Sequence, residues 1–228
     1  MRTRCWDTSD DLAHALAQTL AQDAARIESG PHAIMLSGGT TPLAAYALLT
    51  EHPPVVGPGL HVLFSDERHV PANSPHSNCG QIQPMLQAWG LPPNRILNVH
   101  GDDPLNQATE AYDQAIERFL GTGGIIHLGL LGLGADGHTA SLFNAQQIVQ
   151  SQATWAVAVQ RPDGMNGISV TPRLLQRVKR IIFVVTGAGK RAMVSTLLRQ
   201  PHTIPAGLAV SGHPNVEVWT DQAARPAE

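Results

Sequence analysis

Four short segments of this chain carry residue types able to act on an anionic substrate, and each follows a short apolar run. Ser37-Gly38-Gly39-Thr40-Thr41-Pro42 sets two glycines before an Ala/Leu-rich stretch. Glycine lets the backbone approach a ligand, and free amides at a helix start attract phosphate oxygens. Asp66-Glu67-Arg68 places three charges directly after LHVLF. There Arg68 can fork onto a phosphate, while Asp66 can bind sugar hydroxyls or orient a base. Gly132-Leu133-Gly134-Ala135-Asp136-Gly137-His138-Thr139 presents His138 two residues beyond Asp136, and imidazole is the side chain suited to proton transfer near neutral pH. Thr186-Gly187-Ala188-Gly189-Lys190 puts a lysine at a helix start, against the dipole preference, which an anionic ligand would explain.

Each segment also has a plain structural reading: a tight turn, a solvated strand end, one structural histidine among 11, an exposed first-turn lysine. Competing motifs are weaker. Gly132, Gly134 and Gly137 match the G-x-G-x-x-G spacing of a dinucleotide site, but the acidic residue expected on the next strand is represented only by Asp163, in a turn. The Lys190 loop is not a Walker loop, since Val184 stands at its first glycine and no Ser or Thr follows the lysine. There is no G-x-S-x-G elbow and no H-E-x-x-H, and His69 with His76 has poor metal spacing.

The elements that must position these loops follow from periodicity. Ser9 or Asp10 is expected to cap a helix running through Leu12, Leu16, Leu20, Ala24 and Ile27 to Gly30-Pro31. HAIML, LHVLF, RILNVHG, IIHLGLL, TWAVAVQ, GISVTP, VKRIIFVV and VEVWTD read as strands. Helices are expected after SGGTTP, over SNCGQIQPMLQAWG, over residues 106–120, directly behind the His138 loop, and after TGAGK. This alternation predicts an α/β fold: a three-layer, mostly parallel, doubly wound (Rossmann-like) sheet with helices on both faces, built as a single domain over residues 1–228. Ligands of such sheets bind outside the carboxyl ends of the strands, where all four loops lie.

Composition narrows the function classes. The 228 residues carry a formal charge of -3 with no block of like charge, and aromatics are 4%, so nucleic acid is not an expected partner. Cys5 and Cys79 form no metal or redox spacing and suit a reducing compartment. The longest apolar run, around Ile125 to Leu133, is too short to span a bilayer, and the N-terminus lacks a signal-peptide core, so a cytoplasmic protein is expected.

Taken in order, LSGGTTP, FSDERHVP with SPHSN, LGLGADGHTASLF and VVTGAGK resemble the 6-phosphogluconolactonase family over nearly the whole chain, as do HTIPAGLAV and VEVWTDQAA near its end. Asn144 stands where the family usually has proline, and RPDGMNGISVTP is less basic than its usual counterpart. The resemblance implies hydrolysis of 6-phospho-D-glucono-1,5-lactone in the oxidative pentose phosphate pathway, without metal or cofactor. His138 is then the general base. Arg68 and Lys190 grip the phosphate beside Ser37 and the amides of Gly38, Gly39 and Thr40. Asp66 and Asp136 both remain candidates to support the imidazole, and amides near Gly38 or Gly137 to meet the oxyanion. A monomer is expected, with an oligomer left open. The competing readings are an amino-sugar-phosphate deaminase or isomerase, a non-catalytic sugar-phosphate sensor, and a nicotinamide oxidoreductase.

Overall fold

The alternation of apolar runs and amphipathic stretches resolves into ten strands and eight helices in a computed structural model that describes residues 1–28, 30–151 and 153–226. The strands are β1 (Arg2–Trp6), β2 (His32–Leu36), β3 (Leu60–Phe64), β4 (Asp66–Arg68), β5 (Ile96–Leu97), β6 (Ile125–Leu131), β7 (Ala156–Gln160), β8 (Asn166–Val170), β9 (Val178–Val185) and β10 (Val216–Asp221). The helices are α1 (Ser9–Ala24), α2 (Thr40–Glu51), α3 (Asn78–Ala88), α4 (Leu105–Gly121), α5 (Ala145–Gln150), α6 (Pro172–Leu175), α7 (Arg191–Arg199) and α8 (Pro205–Ala209).

Seven strands form one sheet in the order β1-β10-β9-β6-β2-β3-β5, every pair parallel. A central parallel strand must be apolar on both faces, and β2 is buried throughout. Its side chains alternate: Ile34 and Leu36 pack with Leu12, Leu16, Tyr46 and Ile82 from α1, α2 and α3. Ala33 and Met35 join the opposite core with Tyr112 and Ile116 of α4, Val194 and Leu197 of α7, and Ala206 of α8. This is the expected doubly wound α/β arrangement.

A second sheet was not foreseen. Asp66–Arg68 is not a solvated strand end but β4, edge of a three-stranded antiparallel sheet β4-β8-β7. Ser65 hands the chain from one sheet to the other, its amide donating to the Leu36 carbonyl at 2.7 Å and its carbonyl accepting from Val170 at 2.9 Å. The pairing sets Asp66 opposite Ser169 and Arg68 opposite Gly167, fixing the charges in register.

Four other expectations are corrected. The α1 cap is Thr8, not Ser9 or Asp10: Thr8 and Asp11 form a reciprocal capping box. This helix stops at Ala24, whose carbonyl accepts from the Gly57 amide, so Ile27 lies outside it, 86% exposed. No helix starts behind His138. The chain folds back instead, with the Gly134 amide on the His138 carbonyl and a Thr139–Leu142 bridge, and α5 begins only at Ala145 under an Asn144–Gln147 capping box. RILNVHG contributes only the two-residue β5, which leaves the Phe64 backbone beyond the ladder; the Tyr112 hydroxyl serves both its amide (3.0 Å) and its carbonyl (2.5 Å). Edge strand β1 carries no apolar alternation and was missed. No helix among the described residues is long and apolar enough to cross a membrane.

Candidate active site

The strand order reverses between β2 and β6: β3 and β5 lie beyond one, β9 and β10 beyond the other. At such a switch point the loops diverge and leave a crevice. The row β9-β6-β2-β3 delivers all four sequence-nominated loops to one edge, in that order. A cleft of about 190 Å³ opens there, lined by Ser37, Gly38, Gly39, Asp66, Arg68, His138 and Lys190. Thr40 opens α2 beside it, and Asp136 backs His138.

His138 is held from behind. Its Nδ1 lies 2.5 Å from Asp136 Oδ1, and its backbone amide donates to the same oxygen at 3.2 Å. An ionised carboxylate only accepts, so Nδ1 carries the hydrogen and Nε2 presents a lone pair. Burial alone would raise the Asp136 carboxyl, but the hydrogen bonds from the ring and amide of His138 outweigh it and hold it below the usual range. The Phe143 ring packs 4.5 Å from the imidazole.

The glycines of this loop serve that pair rather than a nucleotide. A Cβ on Gly134 would stand 2.1 Å from His138 Nδ1 and 2.4 Å from Asp136 Oδ1. Gly137 has φ +83°. No helix start follows to receive a pyrophosphate, which removes the structural basis of the nicotinamide reading.

The carboxylates at Asp66 and Glu67 have separate jobs. Asp66 accepts from Ser141 Oγ at 2.7 Å and Ser65 Oγ at 3.1 Å, and lies 3.7 Å from Arg161 Nη1. Of the two candidates to support the imidazole, Asp136 is the one against the ring. Glu67 is buried and accepts from the amides of Arg68, Asn78 and Cys79 and from Ser77 Oγ, pinning the start of α3 to β4. Burial pushes its carboxyl up despite these bonds.

Three cations face the cleft. Arg68 donates to Asn78 Oδ1, and Lys190 ends a single 3-10 turn before α7. The turn carrying Lys190 is fixed by Asp221, which accepts the Gly187 amide on both oxygens at 3.1 Å, and by a 2.9 Å hydrogen bond between Thr41 and Thr186 hydroxyls. The third cation, Arg161, escaped the sequence reading: it leaves the end of β7, donates to Ser141 Oγ at 2.7 Å and lies over the Phe143 ring. Asn78 was missed as well. Their signal was the one that marked Arg68, a polar residue closing an apolar strand or opening a helix beside a turn.

Among the described residues the amides of Gly38, Gly39 and Thr40 donate to no protein acceptor, whereas the Gly137 amide is already given to the Gly134 carbonyl. Of the two amide groups nominated for the oxyanion, the Gly38 turn is therefore the one with free donors. No three His, Cys, Asp or Glu side chains among the described residues gather as a metal-ligand set.

Comparison with known proteins agrees with this geometry. Residues 7–219 match the family model described as glucosamine-6-phosphate isomerases/6-phosphogluconolactonase. The 6-phosphogluconolactonase of Haemophilus influenzae is 31% identical over 77% of this chain and 75% of its own length. That of Homo sapiens is 29% identical over 96% and 90%. The crystal structure of the devB protein superposes with a TM-score of 0.83 at 30% identity, covering 98% of this chain and 97% of the other. The chain thus belongs to the glucosamine-6-phosphate isomerase/6-phosphogluconolactonase family.

Proposed function

We propose that this protein is a 6-phosphogluconolactonase, a hydrolase that opens 6-phospho-D-glucono-1,5-lactone to 6-phosphogluconate in the pentose phosphate pathway. The observation that carries the reading is the His138–Asp136 pair at 2.5 Å, on a cleft that also holds Arg68, Arg161 and Lys190. An oriented base beside a group of cations suits an ester at one end of a substrate and a phosphate at the other.

In this reading the imidazole Nε2 takes a proton from water as the water oxygen attacks the lactone carbonyl. The tetrahedral oxyanion forms against the free amides of the Gly38-Gly39 turn. Collapse breaks the bond between the carbonyl carbon and the ring oxygen, and the imidazolium returns the proton to that leaving oxygen. Asp136 steadies the imidazolium between the two transfers. General base catalysis of this kind supplies about 10²–10⁴-fold. A lactone is an activated ester, so no further activation of the carbonyl is invoked.

Arg68, Arg161 and Lys190 hold the phosphate, with Ser37 and the amide of Thr40 completing the turn around it, and this remote binding positions the reacting carbon. Asp66, tied to Ser141, is left to accept hydroxyl groups of the sugar. The chain acts as a single-domain monomer in the cytoplasm, with neither nucleic acid nor membrane as a partner.

The test is to generate the lactone in place from glucose 6-phosphate with its dehydrogenase and to follow its loss against the spontaneous rate. Acceleration by this protein is expected, with glucosamine 6-phosphate left unchanged. Release of ammonia from glucosamine 6-phosphate without lactone hydrolysis would move the assignment to the deaminase branch of the family. Binding of sugar phosphates without turnover of either compound would make the protein a sensor.

A further inference from the structure

Resting on that reading, we infer that Asn78 is a positioning residue that sets the preference of the cleft for phosphorylated substrates, by holding the Arg68 guanidinium with a neutral acceptor against the Gly38-Gly39 turn. Asn78 is 1% exposed and lines the cleft. Its backbone amide donates to Glu67 Oε1 at 2.7 Å, its Nδ2 donates to the Asp66 carbonyl at 2.9 Å, and its Oδ1 accepts from Arg68 Nη1. The carbonyl needs a donor and the guanidinium an acceptor, so only one orientation of the side-chain amide satisfies both.

The same amide faces the first loop. A Cβ on Gly38 would lie 2.0 Å from Asn78 Oδ1, so the turn with free amides is moulded on this side chain. One residue therefore joins the cation of β4 to the amide donors ahead of α2. Arg68 Nε is buried and has no acceptor among the described residues. A carboxylate at position 78 would also hold the guanidinium, but would cancel its charge; an amide orients it and leaves the charge to the ligand. It is the neutrality of Asn78, as much as its shape, that the site uses.

The test compares kcat/KM for 6-phosphogluconolactone with that for unphosphorylated glucono-1,5-lactone in wild type, Asn78→Asp and Asn78→Ala, with and without Arg68→Ala. Asn78→Asp is expected to lower the phosphorylated-to-unphosphorylated ratio roughly tenfold or more, through KM of the phosphorylated substrate. On the Arg68→Ala background Asn78→Ala, which brings no charge of its own to the cleft wall, is expected to shift the ratio by less than about twofold, because the residue acts through the guanidinium. Asn78→Ala removes the acceptor without adding charge and is expected to lower the ratio less; it carries the test if the Asp variant does not fold.

An unchanged ratio in these variants would overturn the inference, as would equal loss on both substrates with a lowered unfolding midpoint, the signature of a structural role. Wild type without preference for the phosphorylated lactone would overturn the proposed function itself. Wild-type preference with an unaltered variant ratio would overturn only the role of Asn78.

Discussion

The space under the His138–Asp136 pair is filled to the point that a single methyl group does not fit: a Cβ at Gly134 would stand 2.1 Å from the imidazole Nδ1. Gly134→Ala is therefore expected to displace the ring and lower kcat while KM for the phosphorylated lactone changes only a few-fold, since the cations lie on other loops. Steady-state kinetics would show it, and a wild-type kcat would mean that the pair is not needed. Asp136→Asn separates orientation from charge. An asparagine oxygen can still accept from Nδ1, but it cannot steady an imidazolium, so kcat is expected to fall on the order of 10²-fold or more. A loss no larger than twofold or so would reduce Asp136 to a loop anchor.

At the scale of elements, the site depends on strand ends being held where the main ladder runs out. Because β5 is two residues long, the backbone of Phe64, two residues before Asp66, relies on the Tyr112 hydroxyl from α4. Tyr112→Phe keeps the ring and strands two buried backbone groups, which is expected to cost about 1–3 kcal/mol, read as a lowered urea midpoint with an unchanged m-value. An unaltered midpoint would show that the strand end relaxes without the hydroxyl. The same elements show what was legible in the sequence. Buried strands such as HAIML and IIHLGLL announce themselves by apolar content, and glycine turns after them mark the carboxyl edge, so the row of four loops could be read directly. Local pattern did not reveal that DER pairs with a hairpin about 100 residues later, because that pairing is set by long-range register. It also suggested a helix behind His138. There the glycines answer to the volume of the histidine and aspartate side chains, a constraint visible only once the loop is folded. Arg161 reaches the cleft through the same unforeseen hairpin, which is why it was not nominated.

For the whole molecule, the opposite end of the sheet carries a titratable weakness. His32 begins β2, 1% exposed, near His127 at 6.0 Å between ring centroids, and burial holds its pKa below the ordinary imidazole value. The unfolded chain then binds the proton more tightly, so stability is full above about pH 6.5 and falls as pH drops through that value toward the lower folded pKa. Urea midpoints are expected to fall between about pH 7.5 and about pH 5.5, and less steeply in His32→Leu. Identical slopes would place the acid sensitivity elsewhere. Catalytic and stability effects should separate in space, since His32 starts the strand whose far end carries Ser37.

The most direct check on the account is the rate of 6-phosphogluconolactone hydrolysis above the spontaneous background for wild type and His138→Ala, with affinity for 6-phosphogluconate measured in parallel. Wild-type acceleration is expected, with a loss of about 10²–10⁴-fold in kcat on removing the imidazole and product affinity preserved within a few-fold. A variant that hydrolyses the lactone as fast as wild type would contradict it.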